Sequence, residues 1–142
     1  MAEHILVPTD GSKSARRAAE QAVELADRDS AVVHALYVAS MGDMDYVATP
    51  GDISETRDRL VKTGTKYVEE VAEMGATAGI EVVTEVRTGI AEDEIPEYAD
   101  EQGIDLIVMG KRGRSGPDKA LVGIGSTARR VMARTEIPVR VV

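Results

Sequence analysis

The sequence contains no cysteine, phenylalanine or tryptophan, and no apolar run approaches the about 20 residues that a membrane helix requires. The absence of cysteine excludes disulfides, thiolate metal ligands and cysteine nucleophiles. Met1-Ala2-Glu3-His4 leads into an apolar segment without the pattern of a signal peptide, so we expect a cytoplasmic protein with no membrane partner. Its 142 residues, 43% of them apolar, predict a single domain spanning 1–142.

Lysine is also scarce, and acidic residues outnumber basic ones by 25 to 17, which gives a net charge of −8. Such a surface repels nucleic acid, so we predict no nucleic-acid partner, and it suits a salt-rich, halophilic cytoplasm. The segment from Lys111 to Arg134 is the exception, because it holds seven basic residues and only one acid, Asp118. This basic segment indicates a place where a small anion could bind, although solvated surface charges would give the same pattern.

Apolar segments and helical periodicity alternate along the chain. We predict strands over 4–8, 31–38, 80–87, 104–109 and 137–142, and helices starting after the Thr9-Asp10-Gly11-Ser12 turn, at Ser54, near Glu92 or Asp93, and at Ser126. This order predicts an α/β fold, a doubly wound, five-stranded and mostly parallel sheet with helices on both faces. The third strand alternates in polarity and the last contains Pro138, so both are expected nearer the edges.

Two details complete the predicted elements. Pro96 is expected in the first turn of its helix, where the missing N–H costs nothing. His4 and His34 stand alone on separate strands, and we interpret both as structural rather than as metal ligands.

The loops after the first and fourth strands carry the candidate chemistry, since ligands of doubly wound sheets bind beyond the carboxyl ends of the strands. Gly110 and Gly113 allow close backbone approach, and Gly125-Ser126-Thr127 would offer unpaired N–H donors at a helix start. Lys111 and Arg114 would supply countercharge. On glycine count alone, an ordinary loop is an equal alternative.

Several segments together resemble the universal stress protein family over essentially the whole chain: Pro8-Thr9-Asp10-Gly11-Ser12, the run IDLIVMG ending at Gly110, Gly113, Gly125-Ser126 and Ile137-Pro138-Val139. The ATP-binding branch of that family has the signature G-x2-G-x9-G-[S/T]. Here Gly110 and Gly113 fit, but eleven residues rather than nine separate Gly113 from Gly125. The loop is therefore two residues longer than the signature.

The resemblance implies a Rossmann-like fold of the adenine nucleotide alpha hydrolase type and a role for each matching residue. Asp10 would hold the ribose hydroxyls, and the backbone around Pro8, Thr9 and Val38 would meet the adenine. The residues around the ribose and phosphates would be Met109, Gly110, Gly113, Arg114, Gly125, Ser126 and Thr127, with Mg²⁺ accompanying ATP. Read from the residues alone, Asp10 could be a helix cap and Val38 a core residue.

These observations favour a stress-response protein that binds ATP or AMP and acts through an unknown protein partner. A homodimer through the C-terminal strand is expected, because a valine-rich edge strand otherwise stays unpaired and because the family pairs this strand across a two-fold axis. The alternatives are a slow Mg²⁺-dependent ATPase or phosphotransferase, and a nucleotide-free dimeric interaction module. No residue pair suggests a general base or a covalent intermediate, so an enzyme is the less favoured interpretation.

Overall fold

The computed structural model describes residues 2–40, 50–111 and 125–142. In these ranges strands and helices alternate in the order β1 (His4–Pro8), α1 (Lys13–Asp29), β2 (Val32–Ser40), α2 (Pro50–Ala78), β3 (Val82–Gly89), α3 (Ala91–Glu101), β4 (Leu106–Met109), α4 (Ser126–Arg134) and β5 (Val139–Val141). Every strand pair is parallel and the strand order is β3-β2-β1-β4-β5. The predicted doubly wound sheet is confirmed.

The two faces of the sheet are covered by different helix pairs. One core contains Ile5, Val33 and the buried residues of α1 and α2, and the other contains Leu6, Leu36 and the buried residues of α3 and α4. The narrow face of α1 is as predicted, since all its small apolar residues are buried: Ala15, Ala18, Ala19, Ala22, Val23 and Ala26. Small side chains let this helix pack closely on the central strands. None of the helices in the described ranges combines the length and apolar character needed to cross a bilayer.

Helix α2 begins earlier than the sequence predicts. It starts at Pro50 rather than at Ser54, so Ser54 lies inside the helix and does not cap it. A proline is well suited to the first helical position, because its φ is already helical and its missing N–H has no partner there in any case. The other end is as predicted, with Gly79 just beyond the helix at φ +73°.

Helix α3 differs from the prediction at Pro96. The helix starts at Ala91, so Pro96 is its sixth residue and lies in the second turn, where a backbone hydrogen bond is lost. Pro96 is buried together with Ile95, Tyr98 and Ala99. Burial of this apolar ring offsets part of the missing hydrogen bond.

The strands also differ in length from the predicted segments. Strand β3 is displaced by two residues toward the C-terminus, and β4 and β5 are shorter than predicted. The prediction that β3 and β5 lie near the edges is confirmed by the strand order. The sheet therefore ends on one side in an eight-residue strand and on the other in a three-residue strand.

Candidate functional site

The site is positioned by the point at which the winding of the sheet reverses. Strand β1 lies between β2 and β4, with Ile5 opposite Leu106 and Leu6 opposite Ile107. The loops that follow β1 and β4 therefore leave the same end of neighbouring strands and diverge toward opposite faces. In doubly wound folds such a separation leaves a crevice at the carboxyl end of the sheet, which is where ligands bind.

The loop after β1 is ordered by one hydrogen bond to β2 and three local ones. Thr9 N donates to Leu36 O at 2.8 Å, which continues the β1–β2 ladder by one residue. Gly11 N then donates to Thr9 Oγ1 (3.2 Å) and Ser12 N to Asp10 Oδ1 (2.9 Å). Ser12 caps α1, because its Oγ accepts from Ala15 N at 3.1 Å. Asp10 is therefore not the helix cap, and its carboxylate is oriented by the turn.

Gly11 joins this loop to helix α2. Its φ is +79°, a region that side chains rarely adopt, and a Cβ built on it would lie 2.3 Å from Cζ of Tyr67. The Tyr67 ring thus occupies the space of the missing side chain, and it packs beside Tyr37 of β2 with ring centroids 5.9 Å apart. The two aromatic rings hold the turn that carries Asp10.

The end of β4 lies directly against the start of α1, again because a glycine leaves room for its neighbour. A Cβ on Gly110 would lie 2.6 Å from Ser14 Oγ and 2.7 Å from the backbone N of Ala15. The glycine predicted to approach a ligand therefore also permits helix and strand to meet. This contact joins the end of β4 to the first turn of α1.

The two sides of the long β4–α4 loop are joined at its base. Lys111 N donates to Val142 O (2.7 Å), and Gly125 N donates to Lys111 O (2.6 Å). The Gly125 amide is therefore already paired, contrary to the expectation that it is an unpaired donor. Gly113 and Arg114 lie outside the described residues.

Helix α4 begins with Gly125 at its N-cap and has no side-chain cap hydrogen bond in the described part of the chain. The amides of Ser126 and Thr127 occupy its first two positions, where an α-helix provides no internal acceptor. The positive end of the helix dipole adds to this donor pair. These two amides can take the role in anion binding that the sequence assigned to three.

Apolar residues from the ends of β1, β2 and β4 lie at the same end of the sheet. Met109 is buried, and Val38 packs against the core between the sheet and helices α3 and α4. Pro8 is opposite Leu36 in the β1–β2 register, two residues before Val38. Val38 is only half-buried, so it is at once a core residue and a surface beside the crevice. A flat, weakly polar group such as a base fits such a surface.

The described basic residues of the segment from Lys111 to Arg134 fall into two groups. Arg130 and Arg134 pair with the acidic first turn of α3, with Arg130 Nη1 at 3.2 Å and Arg134 Nη1 at 3.3 Å from the Glu92 carboxylate. These two arginines therefore tie α4 to α3 instead of raising the potential of the crevice. Lys111 and Arg129 lie at the end of β4 and in the first turns of α4, close to the predicted phosphate position.

Sequence reasoning missed a polar chain at the other end of the sheet. His4 Nδ1 lies 3.0 Å from His34 Nε2, and His34 Nδ1 lies 2.7 Å from Tyr98 Oη. Burial, followed by the charge of His4, lowers the pKa of His34, and burial raises the pKa of Tyr98 to about 12. Only the parallel β1–β2 register brings the two histidines together. No group of three metal-binding side chains occurs among the residues that the structure describes.

Comparison with known proteins identifies close relatives along the full chain. The model of the universal stress protein family matches residues 1–142. Universal stress protein MJ0531 of Methanocaldococcus jannaschii is 33% identical over 97% of this chain and 80% of its own length, and YxiE of Bacillus subtilis is 32% identical over 100% and 99%. The solved structure of UspA from Lactobacillus plantarum is 32% identical with a TM-score of 0.86, covering 99% of this chain and 97% of its own.

Two more distant structures share the fold and contain adenine nucleotides. A universal stress protein in complex with cAMP is 22% identical with a TM-score of 0.71, and it covers 99% of this chain and 97% of its own. A family member from Arabidopsis thaliana with AMP bound is 19% identical with a TM-score of 0.72, covering 99% and 90%. At these identities the likeness concerns the fold, and the nucleotides belong to those proteins.

Proposed function

Because the chain belongs to the universal stress protein family, we propose that it binds an adenine nucleotide in the crevice between the loops after β1 and β4. We further propose that it is a single cytoplasmic domain, a homodimer through β5, and a stress-response regulator acting on another protein. The observation that carries the proposal is the adjacency of β1 and β4, which brings the Asp10 turn, Gly110 and the start of α4 to one end of the sheet.

Each part of a nucleotide has a counterpart in this crevice. The base would rest on the backbone at Pro8 and Thr9 and on the side chain of Val38, and the Asp10 carboxylate would accept hydrogen bonds from the ribose hydroxyls. The phosphates of ATP or AMP would lie near Met109, Gly110, Gly113, Arg114, Gly125, Ser126 and Thr127. Mg²⁺ would neutralise charge on the phosphates of ATP and complete its coordination with water.

Isothermal titration calorimetry tests the binding directly. Wild-type protein should bind ATP or AMP saturably, and Asp10→Asn should weaken binding about 10- to 100-fold, because one charged hydrogen-bond acceptor is lost. Asparagine retains the oxygen that accepts from Ser12 N, so the turn is preserved. Asp27→Asn, at an exposed position on α1, is the matched control and should bind like wild type. Absence of saturable binding at millimolar nucleotide would refute the proposal.

One observation favours a second function, the nucleotide-free interaction module. The Gly125 amide donates to Lys111 O, so one of the amides expected to bind the phosphates already has a protein partner. Mass spectrometry of protein purified without added nucleotide separates the two functions. A bound adenine nucleotide supports the first, and ligand-free protein that also fails the titration supports the second. A steady release of ADP from ATP in the same samples would instead indicate the hydrolytic alternative.

A further inference from the structure

Strand β3 forms the free edge of the sheet opposite β5. Its inner side pairs with β2 over eight residues, from Val33 opposite Val82 to Ser40 opposite Gly89. Within the described ranges, no strand pairs with its outer side. A long unpaired edge is a template for another strand.

The exposed large apolar residues of the described chain belong to this edge. They are Val83, 38% exposed, and Ile90, 50% exposed. Ile90 follows β3 directly and has an extended backbone (φ −104°, ψ 121°), but its carbonyl already accepts from Asp93 N and Glu94 N, so it offers a partner strand its side chain and not that carbonyl. We propose that the outer edge of β3 is a second self-association surface, which pairs antiparallel with β3 of another copy of this chain.

The outward-facing backbone groups limit how such a pair can form. Val33 N donates to Glu81 O, so the odd-numbered residues of β3 bond inward to β2. In a parallel ladder the N–H and C=O of even-numbered residues then point outward. In an antiparallel pair of two copies related by a two-fold axis, even-numbered residues must therefore face even-numbered residues of the partner. The axis must then lie between the two copies of a single residue.

Among the registers centred on Glu85, Val86 and Arg87, charge favours one. An axis at Thr84 would also pair opposite charges, Arg87 with the partner's Glu81, and the cysteine cross-linking described below distinguishes that register. With the axis at Val86, Glu85 faces the partner's Arg87 and Arg87 faces the partner's Glu85. With the axis at Glu85 or at Arg87, like charges would face each other, which destabilises a pair. Arg87 already bonds Glu85 and Glu101 (2.6 Å to the latter), so the partner's carboxylate would extend an existing network.

The same register matches the remaining side chains. Thr84 faces the partner's Thr88, the two copies of Val86 meet at the axis, and Val82 faces the partner's Ile90. Threonine pairs and β-branched apolar pairs are favourable across strands. Thr84 and Thr88 are exposed, so substituting them leaves the core unchanged. One strand edge is a small interface, so the association should be weak and concentration-dependent.

Sedimentation equilibrium over a concentration series tests the surface. Thr84→Lys/Thr88→Lys and Thr84→Glu/Thr88→Glu should each lower the association constant by about tenfold or more, because like charges then face each other twice. An equimolar mixture of the two variants should regain association, since every facing pair is then opposite in charge. Thr65→Lys/Thr77→Lys, at exposed positions on α2, is the matched control and should behave like wild type.

The proposed dimer through β5 would be common to all these samples, so only the further association step is compared. The proposal is overturned if wild type shows no concentration-dependent step, if the lysine variant associates like wild type, or if the mixture associates no better than its components. Because the rescue requires two folded variants, unfolding cannot imitate it.

Cysteine cross-linking can identify the register directly. Because the chain has no cysteine of its own, introduced cysteines can form disulfides only with each other. Hydrogen-bonded antiparallel pairs have Cα atoms about 5.5 Å apart, within the range of a disulfide. A mixture of Thr84→Cys and Thr88→Cys chains should therefore form a disulfide-linked pair under mild oxidation. Either variant alone should not, because its two cysteines would be four residues out of register. Equal cross-linking of Thr84→Cys alone would refute this register.

Discussion

Replacing Gly11 with alanine tests how the Asp10 turn is supported. Two costs add at this position: the positive φ of +79°, and a Cβ that would lie 2.3 Å from the Tyr67 ring. The first costs about 1–2 kcal/mol. Displacing a packed ring by more than an ångström costs about 1–3 kcal/mol. We expect Gly11→Ala to lower the free energy of unfolding by about 2–5 kcal/mol, the sum of the two.

The chain contains a matched control for the first cost. Gly79 has nearly the same φ, +73°, but nothing lies within 4 Å of its Cβ position. Urea unfolding of Gly79→Ala should show only the backbone cost, about 1–2 kcal/mol. Adding Tyr67→Leu to Gly11→Ala should cost less than the two single changes combined, because the clash is then already removed. Equal losses in Gly11→Ala and Gly79→Ala would refute the view that Tyr67 supports the turn.

Two further predictions concern pH and the start of α4. Because the pKa of His34 is lowered below 6.5, the unfolded chain binds more protons there at acidic pH. The contribution of His34 to the unfolding free energy should therefore be complete above pH 6.5 and decrease as the pH falls below that value. His34→Leu should flatten that slope in urea titrations, and an unchanged slope would contradict the assignment. Ser126→Pro removes one first-turn amide and keeps a helical φ, so it should weaken ATP binding in calorimetry, whereas Ser126→Ala should retain it. Equal affinities would show that this amide does not contact the phosphates.

The order of strands and helices along the chain, and the edge positions of β3 and β5, could be predicted because the patterns that mark them are local. Small residues at helical spacing gave α1 a single face, and the continuous apolar segments at β1 and β4 marked strands covered on both sides. The alternating polarity of β3 placed it at an edge. These patterns arise because buried positions hold apolar residues, and the spacing of apolar residues can be seen in the sequence.

Other features depend on contacts between distant residues, and the sequence carries no local signal for them. The hydrogen bond between His4 and His34 follows from the β1–β2 register, and the hydrogen bond from Gly125 N to Lys111 O joins residues on the two sides of a long loop. Ser54 has the right chemistry for a cap, but Pro50 offers an earlier helix start. Local propensity cannot decide between two suitable positions.

Gly110 shows why a glycine signature is weaker evidence for binding than it looks. Its missing side chain is required by Ser14 and Ala15 of α1 whether or not a nucleotide is present. A Gly110→Ala change would therefore reduce stability and affinity together and could not separate folding from function. Asp10 is different, because asparagine retains the oxygen that accepts from Ser12 N, so the proposed loss of affinity can be measured with that hydrogen bond intact. Asp10 and the first turn of α4 are therefore better positions than Gly110 for testing the proposed nucleotide binding.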